Sequence, residues 1–99
     1  MANRKISWSK TAVKQFESAI GHIAADSITN AEKVSADVVK ELNKTLQNPE
    51  FFNADKYKMN NDGSYRAFEK HRYRIAYRFI DNEIRVLRVR HTSREPKTY

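Results

Sequence analysis

From Lys10 onward the chain sets Val13, Phe16, Ile20 and Ile23 at spacings of three and four, which gathers them on one face of a helix. Ser9 precedes this run as an N-cap, and Gly21 weakens the pattern without ending it, so a helix is predicted from Lys10 to about Ala25. Asp26, Ser27 and Thr29 then offer turn and cap residues. Ala31, Val34, Val38, Leu42 and Leu46 form a second apolar stripe, stopped where Pro49 disfavours helix at Asn48. The short connection predicts two antiparallel helices packed as a hairpin. A short extended piece, Arg4 to Trp8, leads into them.

After Pro49 the period is lost. Residues 51–64 read as a loop that ends in the turn signal Asn61-Asp62-Gly63. Alternation takes over next, and it predicts strands over about Tyr65 to Lys70, Arg72 to Ile80 and Glu83 to His91, the last two joined by a tight turn at Asp81 and Asn82. In the middle strand Tyr73, Ile75, Tyr77 and Phe79 share one face, and Arg72, Arg74, Ala76 and Arg78 share the other. That suits a sheet with helices on one side and a cationic, solvated surface on the other. The last strand slips: Ile84 and Val86 share a face with Arg88 and Arg90, whereas Leu87 and Val89 share one with Arg85 and His91. Either a bulge sits near Val86 and Leu87, or this strand is covered on both faces. The fold class is α+β, with a helical hairpin packed on a three- to four-stranded antiparallel sheet.

Composition narrows the function. Ninety-nine residues make one domain (1–99), and the absence of cysteine removes disulfides and thiolate metal sites. No apolar run has the length of a signal peptide or a membrane span, so the expectation is a cytoplasmic protein with no membrane partner. The net charge of +7 favours anionic partners. It is concentrated: residues 66–97 hold ten Lys/Arg against four Asp/Glu, a balance of +6, and eight of those ten cations are arginine, the better bidentate partner for phosphate.

Candidate chemistry follows the charge. His22, His71 and His91 lie too far apart for a recognised ligand spacing, and neither a glycine-rich phosphate loop nor a nucleophile elbow is present, so no metal or other cofactor is implied. The arginine face, interleaved with Tyr65, Phe68, Tyr73 and Tyr77, has the mixture that grips nucleic acid. The blander reading is a solvated strand face over core rings. In the closing stretch His91 can move a proton, Arg94 can stabilise charge on a phosphorane-like transition state, and Tyr99 can stack or act as an acid or base. The alternative is a strand cap, a surface charge and a frayed end.

Taken together, "ISWSKTAVKQF", "HIAADS", "LQNP", "YRAFEKHRYRIAYRF", "NEIRVLRVRH" and the arginine at 94 resemble the RelE/ParE superfamily of toxins from type II toxin–antitoxin modules. The resemblance spans nearly the whole chain and rests on order and pattern rather than on one diagnostic motif. It implies a short first strand, a helical hairpin and an antiparallel sheet with a concave basic surface, held inactive by a cognate antitoxin.

The superfamily implies two activities. RelE-like toxins cleave mRNA in the ribosomal A site without a metal; ParE-like toxins act on DNA gyrase. On the nuclease pattern, Arg66 stands as a basic residue of the first sheet strand, Arg74 as the arginine of the "YR" pair, and Arg94 and Tyr99 as the two C-terminal groups. Phe68 falls where a second catalytic lysine is expected; Lys70, His71 and Arg72 are the nearby substitutes. Arg78, Arg88 and Arg90 complete the expected nucleic-acid surface. The N-terminal half and the "RVRH" strand ending are closer in character to ParE. Because His91, Arg94 and Tyr99 supply the groups that attack by a 2′-hydroxyl requires, the sequence leans to a ribosome-dependent endoribonuclease acting on mRNA, with DNA gyrase as the alternative target.

Overall fold

The computed structural model describes residues 4–99. Its elements run β1 (Lys5–Trp8), α1 (Lys10–Asp26), α2 (Ile28–Gln47), β2 (Tyr65–Lys70), β3 (Tyr73–Ile80) and β4 (Glu83–His91). Ser9 starts α1 as expected. Its side chain accepts the Ala12 N–H at 3.0 Å and donates to the Leu87 carbonyl at 3.0 Å, so one residue caps the helix and fastens it to β4. Ser27 does two jobs at the helical corner. Its N–H closes the last turn of α1 on the Ile23 carbonyl, and its side chain accepts the Asn30 N–H to open α2.

The sheet order is β1-β4-β3-β2. β2, β3 and β4 form the expected antiparallel meander, whereas β1 joins β4 in parallel, so the four-stranded sheet is mixed. The helical hairpin lies between β1 and the meander in the chain, and this long excursion brings β1 back beside β4 in the same direction.

The slipped pattern in the last strand is a bulge. Ala76 pairs with Arg88 and Tyr77 with Val86, which leaves Leu87 without a partner. The extra residue returns Ile84, Val86 and Val89 to the core face and sets Arg85, Arg88 and Arg90 on the other. The core consists of those three with Ile75, Tyr77, Phe68 and the α2 stripe Val34, Val38 and Leu42. In α1 the buried face is rotated from the expected one. Ala12 is fully buried and Val13 is 39% exposed, because the small side chain at 12 lets the helix approach the sheet, with Phe16, Ile20 and Ile23 packing beside it.

The β2–β3 turn also differs from expectation. Arg72 is not in a strand: His71 and Arg72 form a two-residue turn, both in the left-handed region at φ 52° and 68°. His71 is held there by Asp37 of α2 at 2.6 Å. Residues 48–64 fold back over the outer edge of β2. Asp55 N–H donates to the Tyr65 carbonyl, Ala67 N–H to the Asn53 carbonyl, and the buried Tyr77 hydroxyl donates to the Pro49 carbonyl at 2.7 Å. Burial pushes the Tyr77 hydroxyl pKa up to about 12, so at neutral pH it stays a donor.

Candidate functional site

The outer face of the sheet, opposite the helices, gathers Arg74, Arg78, Arg88, Arg90 and Tyr99 of the expected residues, and a residue that the sequence did not single out organises it. Asp55 lies in the loop before β2, its side chain 1% exposed. Arg74 donates to its Oδ1 at 2.9 Å, Tyr99 donates to its Oδ2 at 2.7 Å, and the Tyr57 N–H donates to Oδ1 at 3.1 Å. Burial works against the charge of Asp55. The hydrogen bonds from Tyr99 and Arg74 outweigh it and hold the carboxyl below the ordinary carboxylate range.

Arg74 is occupied on every side. It meets Asp55, it donates to Glu69 at 3.1 Å, and its guanidinium lies 4.8 Å from the Tyr57 ring centre. Although burial opposes its charge, those carboxylates keep it firmly protonated. Tyr99 is fixed as well. Its N–H donates to the Tyr57 carbonyl, its carbonyl accepts from Met59, and Arg88 covers its ring at 4.6 Å. Burial, followed by the Asp55 carboxylate, raises the Tyr99 hydroxyl well above the ordinary phenol range. The phenol is therefore a donor committed to Asp55. Residues 92–98 arch between this anchor and the end of β4, all of them exposed.

The other expected catalytic groups, His91 and Arg94, border the same cleft as Arg74 and Tyr99 but make no side-chain bond to the hub. His91 follows Val89 on the helix side of the sheet, where its ring meets the Tyr73 ring edge-on at 5.0 Å. Its Nδ1 accepts the Ser93 N–H at 3.0 Å, which leaves Nε2 to carry the proton of the neutral ring. Arg94 sits in the arch, with its N–H on the His91 carbonyl. The fold thus brings Arg74 and Tyr99 together through Asp55, sends the His91 ring to the opposite face, and leaves Arg94 at the rim.

The expected nucleic-acid residues divide in the same way. Arg66 donates to the Gly63 and Phe52 carbonyls and lies 3.6 Å from Glu50, so it braces the loop. Lys70 lies 3.6 Å from Glu41, and His71 pairs with Asp37. Arg78 donates to Ser64 and lies 3.8 Å from Asp62. Arg72, Arg85, Arg88, Arg90 and Arg94 have no carboxylate within ion-pair distance among the described residues. Of the interleaved rings, Phe68 and Tyr77 are core, and Tyr65 carries Arg78 and Lys58, each at 4.6 Å. No group of three His, Cys, Asp or Glu among the described residues is placed to hold a metal ion. No helix among them is long and apolar enough to cross a membrane.

Residues 6–96 match the family model described as the ParE toxin of the type II toxin–antitoxin system parDE. The chain belongs to the ParE toxin family. Its fold agrees with that of a chain from the chromosomal ParDE toxin–antitoxin system of P. aeruginosa, with a TM-score of 0.67 at 16% identity, over 90% of this chain and 96% of that one. No curated protein sequence matches it. Within the ParE family assignment, the buried Asp55 carboxylate gives the "YR" arginine a structural task that is independent of any reaction.

Asp55 carried no sequence signal that marked it. It stands alone in a stretch without periodicity, and only the return of the loop along β2 brings it beneath Arg74 and Tyr99.

Proposed function

We propose that this protein is the toxin of a type II toxin–antitoxin module that arrests growth by inhibiting DNA gyrase without cleaving nucleic acid, and that a cognate antitoxin neutralises it by covering its basic face. The observation that carries the reading is the Asp55 hub. The arginine and the tyrosine that a nuclease would need free are both bound to one buried carboxylate, and the His91 ring is on the other side of the sheet. General acid–base catalysis needs a group able to exchange a proton near neutral pH within reach of the reacting atoms. Tyr99, raised by burial and by Asp55, is poorly suited to that exchange. Membership of the ParE family points the same way. The lean of the sequence towards ribosome-dependent mRNA cleavage rested on Arg94, His91 and Tyr99 acting together; all three border one cleft with Arg74, but the Tyr99 hydroxyl is taken up by Asp55 and the His91 ring packs on Tyr73, which weakens that reading.

The test is expression of the protein alone, followed by mapping of 5′ ends on translated mRNAs. Growth arrest with intact mRNA and a DNA-damage response is the expected outcome. Cuts at fixed codon positions that vanish when translation is blocked would restore the ribosomal reading.

A further inference from the structure

The outer face holds an asymmetry that the Asp55 hub leaves unexplained. Two arginine pairs stand directly opposite each other across β3 and β4: Arg74 with Arg90, and Arg78 with Arg85. Like charges in that position are destabilising. On β3 each is answered, Arg74 by Asp55 and Glu69, Arg78 by Asp62. On β4 none is: Arg85, Arg88 and Arg90 have no carboxylate within ion-pair distance among the described residues, and Arg94 beyond them is the same. A row of uncompensated arginines therefore runs the length of one strand and curves into the 92–98 arch, where Arg88, Arg90 and Arg94 border a cleft reaching down to Ala76.

We infer that this row is a track for the phosphate backbone of duplex DNA. Alternate residues of a strand are about 7 Å apart, so the β4 arginines present repeated cations rather than one focused site, which suits a polyanion better than a lone carboxylate. Arginine forks match phosphate oxygens bidentately. Bases are not the target. The rings that border the track, Tyr57, Tyr65 and Tyr99, are each covered by a cation, so no free ring is left for stacking on splayed-out bases. Contacts to phosphate alone fix position and carry no sequence information, so binding is sequence-independent and steeply dependent on salt. The inference deepens the gyrase reading by having the toxin touch the DNA that the enzyme holds, yet its test needs no gyrase.

The test is fluorescence anisotropy of a labelled random-sequence duplex, titrated with the purified protein at several salt concentrations. The double variant Arg90→Gln/Arg94→Gln is expected to weaken binding tenfold or more and to lower the magnitude of the log–log salt slope by about 2, close to one for each phosphate no longer neutralised. Lys40→Gln, on the exposed side of α2 and away from the track, shows the effect per surface charge removed elsewhere and is expected to leave affinity and slope nearly unchanged. Thermal melting of each free variant checks the fold, and Arg90→Gln should melt no lower than the parent because it relieves a cross-strand repulsion.

Equal weakening by Lys40→Gln would overturn the track, as would tighter binding to poly-glutamate of matched charge or to single strands of equal length. Duplex binding without gyrase inhibition would sink the gyrase reading and leave the track standing; gyrase inhibition without duplex binding would do the reverse.

Discussion

Asp55 is the residue on which the outer face depends. Removing its charge leaves Arg74 with Glu69 alone and releases Tyr99. Asp55→Ala should therefore cost on the order of 3 kcal/mol, the usual scale for breaking one side of a buried charge pair; a denaturant midpoint within error of the parent would contradict the hub. Its pH dependence has a definite sign. The folded carboxyl lies below its unfolded value near 4, so Asp55 contributes stability above that value and loses it as pH falls through the folded one. Asp55→Asn should flatten the acid limb of a stability profile measured below about pH 4. Tyr99→Phe deletes only the hydroxyl that donates to Asp55. It should lower stability by about 1.5–3 kcal/mol, as for hydrogen bonds to charged groups, and speed hydrogen exchange at the Met59 amide, which is bonded to the Tyr99 carbonyl. Unchanged Met59 exchange would show that the arch is held by other means.

Among the elements, β4 shows how one unpaired residue sets the chemistry of a surface. Because side chains alternate strictly, deleting the unpaired Leu87 would join Val86 to Arg88 and leave Ile84, Val86 and Val89 on the core face, whereas deleting the paired Arg85 would turn Ile84 away from it. The Leu87 deletion should still unfold cooperatively by circular dichroism, while the Arg85 deletion should not; loss of cooperativity in the Leu87 deletion would mean that the bulge itself is required for the fold. The slip in the hydrophobic pattern at Val86 and Leu87 offered this bulge as one of two readings, and the capping serine at position 9 and the α2 stripe were legible outright. Three features were not legible, each for a physical reason. A four-residue strand such as β1 carries no signal for the direction of its partner. The phase of α1 turned on how closely Ala12 could approach the sheet. The Asp55 hub joins residues 19 and 44 positions apart, beyond the reach of local periodicity.

For the whole molecule, the fold separates two kinds of charge. Cations that brace the loop, Arg66 and Arg74, are paired and largely enclosed, whereas those along β4 and the arch are left for something outside the chain. With a net charge of +7, such a surface speeds encounter with a polyanion and is screened by salt. A toxin that binds and obstructs needs that charge and no proton-transfer group, in keeping with the proposed inhibition of gyrase rather than cleavage of RNA. The most direct measurement is the supercoiling of relaxed plasmid by purified gyrase and ATP as this protein is added. Supercoiling is expected to fall with toxin concentration and to return when the cognate antitoxin is supplied first; undiminished supercoiling at a large molar excess of folded toxin would rule out gyrase as the target.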